Sequence, residues 1–263
     1  MVISVWGSPS SGKTTFSIKL AKELASKKKN VIIIFADNNC PVIPTLIPCD
    51  KSNKSLGNIL SDISLSREKI LKNLWKIDKV NYIAITGYRE FENIYSYPKF
   101  EVELINEYIN KLNNMADYII IDTSSYFVTD LLSTIALSVS DKVFRLNTPS
   151  LKSMSYFNSN LQILNDNFDK ENHINILSNF RENDPIDEIK DMLNIEGYFP
   201  YMEGLREQSI CTELFFDLKT KDENILKNNM HKIISLIEPG SLIEANKYLN
   251  NNIFRKFKFK MGV

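Results

Sequence analysis

The most specific chemistry in this sequence lies in eight consecutive residues, Gly7-Ser8-Pro9-Ser10-Ser11-Gly12-Lys13-Thr14. Gly-x4-Gly-Lys-Thr is the pattern of a loop that wraps phosphate groups in backbone N–H donors. Such a loop works at the start of a helix, whose unpaired N–H groups and dipole attract negative charge. Lys13 is then expected at the β- and γ-phosphates, the Thr14 hydroxyl on Mg2+, and Thr15 as a donor to the α-phosphate. Two acids complete the constellation. Asp122 ends the apolar run Tyr118-Ile119-Ile120-Ile121, where a carboxylate can hold a water on the metal. Asp37 follows the run Val31–Phe35 and is a second candidate for the metal site or for orienting an attacking water. An ordinary Asp-Asn-Asn turn explains Asp37 equally well.

These residues need a scaffold that brings the ends of several strands together. Candidate strands are Val2–Trp6, Val31–Phe35, Tyr82–Thr86, Tyr118–Ile121, Lys142–Leu146 and Ile174–Leu177. Several are nearly continuous apolar runs, the pattern of strands covered on both faces. Between them lie helical stripes. Phe16, Leu20 and Leu24 with Ala21 and Ala25 form one, closed by Lys27-Lys28-Lys29-Asn30; Ile105, Tyr108, Ile109 and Leu112 form another. The alternation predicts an α/β fold: a doubly wound, mainly parallel sheet between two helical layers, with right-handed crossovers.

Composition narrows the rest. At 263 residues and 43% hydrophobic, the chain has ample material for a core, which excludes a disordered protein. Its 32 basic and 32 acidic residues cancel, so contact with nucleic acid or membrane would need a local patch. Cys40, Cys49 and Cys211 form no CxxC pair, and His173 and His231 have no matching cluster, so neither a disulfide framework nor a zinc site is indicated. With no signal-peptide pattern and no long apolar run, the expected location is cytoplasmic. Residues 1–240 are expected to form one phosphate-loop domain, and residues 241–263 a final helix and tail. That tail ends Phe254-Arg255-Lys256-Phe257-Lys258-Phe259-Lys260-Met261. Ile253, Phe257 and Met261 share a helical face, as an interfacial membrane anchor would require. The period-two alternation over Lys256–Lys260 fits an extended arm as well, and nucleic-acid contact or plain solvation remains open.

The phosphate loop at the start of the chain, Asp37 after the second strand and Ile120-Ile121-Asp122-Thr123, in this order, resemble the MinD/ParA group of ATPases, including the TadZ/CpaE-like proteins of pilus assembly loci. The resemblance spans about residues 1–215. It implies a P-loop NTPase of the MinD/ParA (SIMIBI) type, with ATP and Mg2+ as cofactors and a homodimer formed with ATP. Asp37 and Asp122 would stand at the first and second switches. Asn179, ending Ile176-Leu177-Ser178, is similar to the family's adenine-contacting Asn, and Pro200 belongs to a segment like the one that closes over the base. The implied role is a switch that places another assembly, such as a pilus machine or, with DNA as partner, a chromosome or plasmid. Two positions depart from the pattern. Ser8, followed by Pro9, stands where the family has a signature lysine that reaches the partner's phosphates, so weak or partner-dependent hydrolysis is expected. Ser124 stands where the family commonly has Pro. Arg89 and Arg206 are the candidate substitutes for the lysine, and the aromatic, charged segment 87–98 is a candidate partner surface.

Overall fold

In the computed structural model, the described residues are 1–48, 51–62, 64–78, 80–92, 100–167, 170–219 and 222–238. Cys49, residues 93–98 of the segment 87–98, and the tail from residue 239 onward, including 253–261, lie outside them. The strands are β1 (Val2–Gly7), β2 (Val31–Phe35), β3 (Trp75–Lys76), β4 (Ile83–Gly87), β5 (Tyr118–Asp122), β6 (Lys142–Asn147), β7 (His173–Ser178) and β8 (Gly197–Phe199). The helices are α1 (Lys13–Ser26), α2 (Ile43–Leu46), α3 (Leu56–Leu60), α4 (Arg67–Lys72), α5 (Val102–Asn113), α6 (Leu131–Val139), α7 (Leu151–Asn167), α8 (Ile186–Leu193), α9 (Glu203–Ile210) and α10 (Asp222–Ile237).

Among the described residues the strands form one eight-stranded sheet in the order β3-β4-β2-β5-β1-β6-β7-β8. Every neighbouring pair is parallel except β3 with β4. The apolar strands alternate their side chains between two covered faces. Val31, Ile33 and Phe35 join Ile120 on the side of α1 and α10, whereas Ile32 and Ile34 join Ile119 and Ile121 on the side of α5 and α6. This is the expected doubly wound architecture, and burial on both faces is why the strands read as unbroken apolar runs.

Helix α1 buries Phe16, Leu20, Ala21, Leu24 and Ala25 against the sheet. It ends where Lys28 enters the left-handed region at φ 60°. There Lys28 N–H donates to Ala25 O and Lys29 N–H to Leu24 O, the paired bonds of a Schellman ending. Helix α5 likewise buries Ile105, Tyr108, Ile109 and Leu112. Two details differ from expectation. The strand expected from Tyr82 begins at Ile83, because Tyr82 has φ 66° and its carbonyl instead accepts from Val31 N–H. The sequence also gave no warning of β3 and β8, two and three residues long. Neither is long enough to show a period.

Candidate functional site

Strand β1 delivers the phosphate loop to the middle of the sheet. Its neighbours are β5 on one side, with Val5 level with Asp122, and β6 on the other, with Gly7 level with Leu146. That crowding makes Gly7 obligatory: a Cβ there would lie 2.6 Å from Ser11 Oγ and 2.7 Å from Leu146 O. Gly12 is needed for another reason. At φ 87° it takes a left-handed conformation that few other residues tolerate, and it turns the chain into α1. No side chain caps α1, so its first-turn N–H groups, which have no partner within the helix, are available to an anion. The loop is pinned from behind, since Ser178 Oγ at the end of β7 donates to Ser11 O at 2.9 Å.

The Lys13 ammonium folds back over its own loop. Nζ donates to Gly7 O and Ser8 O, both at 3.3 Å, and to Ser125 Oγ at 2.5 Å. Burial lowers its pKa, opposed by the charges of Asp122 and Asp37. One residue on, Thr14 Oγ1 donates to Asp122 Oδ2 at 2.6 Å. Asp122 is buried, and its other oxygen, Oδ1, has no hydrogen-bond partner. Burial raises its pKa to about 6, against the pull of Lys13 and the Thr14 bond. An ionised carboxylate held this way lacks one ligand, and a cation reached through Oδ1 would supply it.

Asp37 sits in the loop after β2, where its Oδ1 accepts from Asn39 N–H and Cys40 N–H, both at 3.0 Å. The turn geometry is therefore realised, while its charge acts on both Lys13 and Asp122. Asn179, at φ 54°, is held by its N–H to Phe199 O at 2.9 Å. Together with Pro200 it lines a cavity of about 560 Å3 whose other wall is Ser10, Ser11, Gly12 and Thr15. The floor and side are Phe199, Met202 and Leu205. The structure thus gathers the end of the phosphate loop, Asn179 and Pro200 around one space. Lys13, Thr14, Asp122 and Asp37 group beside it, and Pro9 is exposed. Arg206 lines the cavity but is exposed and paired with Glu203 at 2.9 Å. Arg89 N–H donates to Glu92.

Sequence reasoning passed over two members of this site. Ser125 receives the Lys13 bond, and Tyr156, on α7, donates from Oη to Ser125 O at 2.5 Å while accepting from Trp6 Nε1 at 2.8 Å. A hydroxyl three residues after Asp122 was a legible signal; a tyrosine 31 residues from its partner was not.

A family model described as an AAA domain matches residues 7–176. An uncharacterised ATP-binding protein of Methanocaldococcus jannaschii is 27% identical over 143 residues. The match takes in 54% of this chain and 51% of that protein, so the chain spans about half the length of the curated relative it matches. Solved structures with the same fold include the MinC:MinD cell division protein complex of Aquifex aeolicus, at TM-score 0.72 and 18% identity, covering 89% of this chain and 96% of the other. A ParA family ATPase of Chlorobium tepidum matches at 0.71 and 18%, over 87% and 96%. The septum site-determining protein MinD of Pyrococcus horikoshii, complexed with Mg-ADP, matches at 0.70 and 15%, over 90% and 96%.

Proposed function

Because this chain belongs to the MinD/ParA family of ATPases, with an AAA-domain match over residues 7–176, we propose that it is an ATP-dependent switch that dimerises and positions another cellular assembly. The observation that carries this is the bond from Lys13 Nζ to Ser125 Oγ. The cation suited to the β- and γ-phosphates is tied to the loop that follows Asp122. An arriving phosphate competes for Lys13, and losing that tie frees the loop to take a second position. Apolar side chains stand ready beside it. Tyr126 and Val128, after β5, are 61% and 58% exposed, and Leu151, after β6, is 85% exposed. A dimer across this edge of the sheet would cover them.

Thr14 and Asp122 are the residues that would hold Mg2+, and the partnerless Oδ1 of Asp122 supports that assignment. Bound there, the ion would neutralise phosphate charge. Asn179 and Pro200 would contact the base and Thr15 the α-phosphate. Asp37, already committed through Oδ1 to its turn, acts on the site by charge. Hydrolysis is weak or depends on a partner, since Ser8 is buried within its own subunit and carries no charge to offer across a dimer. We take residues 1–240 as the ATPase unit and a pilus or secretion machine of the TadZ/CpaE kind as the cargo, on the strength of Ser8 and Ser124. Among the described residues no helix is long and apolar enough to cross a membrane. Peripheral attachment through residues 253–261 completes the proposal.

Light scattering with saturating ATP-Mg tests it. The apparent mass should double for the wild type and stay unchanged for Lys13→Ala. A wild type that remains monomeric would sink the dimer switch. Salt-sensitive retention on DNA would instead favour a partition role.

A further inference from the structure

Arg145 is a half-buried cation that the nucleotide site does not use. Along β6, Phe144 and Leu146 face α1, whereas Arg145 rises on the opposite face under α7. There it stands level with Asn175 of β7. Its guanidinium lies 4.2 Å from the Phe157 ring centroid and 5.8 Å from that of Trp6. The Nε–H is buried and no acceptor reaches it. Among the described residues Arg145 forms no ion pair. The group that favours its charge is the Tyr156 phenol, neutral at ordinary pH, and burial lowers its pKa. Two aromatic faces attract a cation but bring no counter-charge. A half-buried guanidinium whose inner Nε–H has no acceptor, and which has no counter-charge among the described residues, is suited to receive an anion.

The space beside it has room for one. A cavity of about 350 Å3 opens between α7 and the end of α8, lined by Arg145, Asn175, Phe157, Met154, Leu193 and Asn194. This is the lower end of the size range for small-molecule sites. Its lining offers one cation with a planar donor fork, three side-chain amides, two hydroxyls and four apolar side chains. A doubly charged phosphate would leave one charge unmet. A carboxylate matches the fork in both geometry and charge. We propose that this cavity is a second ligand site, separate from the nucleotide, which binds a small organic monocarboxylate through Arg145 with its apolar body against Met154, Phe157 and Leu193.

Trp6 reports on the site because Arg145 stacks on it. The chain has two tryptophans, so Trp75→Phe leaves Trp6 as the single emitter. In that background, benzoate and pentanoate are titrated to tens of millimolar, with inorganic phosphate in parallel. The expected result is a saturable change in Trp6 emission with at least one carboxylate, persisting in Lys13→Ala, and weakened about tenfold or more by Arg145→Met. Asn158→Phe, which fills the cavity from α7 and leaves Arg145 intact, should weaken it too, and covers the case in which Arg145→Met fails to fold. The proposal is overturned if neither carboxylate gives a saturable signal. It is also overturned if the titrations superimpose on those of the Asn158→Phe variant, or if phosphate binds as tightly as the carboxylates.

Discussion

Replacing Asp122 by Asn separates the two demands placed on this carboxylate. With its pKa raised to about 6, Asp122 is largely ionised at pH 8 and largely protonated at pH 5. A metal needs the ionised form. Each pH unit below 6 should therefore cost about 1.4 kcal/mol, or tenfold, in Mg2+-dependent nucleotide affinity. The assay is titration with a fluorescent ATP analogue from pH 5 to 8, at fixed free Mg2+ and again with chelator. The nucleotide's own phosphate also titrates in this range, but equally for both proteins, so the ratio of wild-type to Asp122→Asn affinity isolates the residue. That ratio should be level above pH 7 and fall steeply below 6, converging on the chelator value. A ratio that stays flat through pH 6 would refute the assignment of Asp122 to the metal. Stability should move the other way. The folded pKa lies above the ordinary value of 3.8, so the contribution of Asp122 to stability is fully present below pH 3.8 and lost as pH rises through 6. The ligand-free Asn variant, which can keep an acceptor for Thr14, should thus be more stable than wild type at pH 7, by on the order of 1–3 kcal/mol in urea unfolding.

Two further substitutions test the scaffold. Tyr156→Phe removes the acceptor of the buried Trp6 indole and the donor to Ser125 O, and should lower stability by about 1–3 kcal/mol with an unchanged urea m-value; amide exchange at Ser125 and Tyr126 should quicken in parallel, and a loss under about 0.5 kcal/mol would remove this chain of bonds from the account. Lys19, buried in α1, donates to Gln208 Oε1, Leu214 O and Phe216 O, and burial lowers its pKa to about 7. The unfolded chain keeps that proton up to about pH 10, so wild-type stability should rise relative to Lys19→Met as pH increases from 7 to 9, by roughly 1–2 kcal/mol; urea unfolding at the two pH values checks the sign, and an equal difference at both would show that Lys19 does not titrate there.

Local features of the sequence were legible wherever a period or a motif repeated over enough residues. The stripes Phe16–Ala25 and Ile105–Leu112 became the buried faces of α1 and α5, and the apolar runs became six parallel strands. Boundaries slipped where a single backbone angle decided them, as at Tyr82. Short pairings such as β3 and β8 were invisible, since strands of two or three residues form only because a neighbouring edge is already in place.

The phosphate loop itself was written in the sequence. Its glycines, lysine and threonine lie within eight residues, and the conformation they need is set by local sterics, as the left-handed Gly12 and the crowded Gly7 illustrate. What surrounds the loop was decided by tertiary structure. Ser125 meets Lys13 across 112 residues, Tyr156 meets Trp6 across 150, and Arg145 lies under α7 with no ion pair among the described residues. Such neighbours leave no periodic trace, because they are chosen by how strands order in the sheet and not by any spacing along the chain.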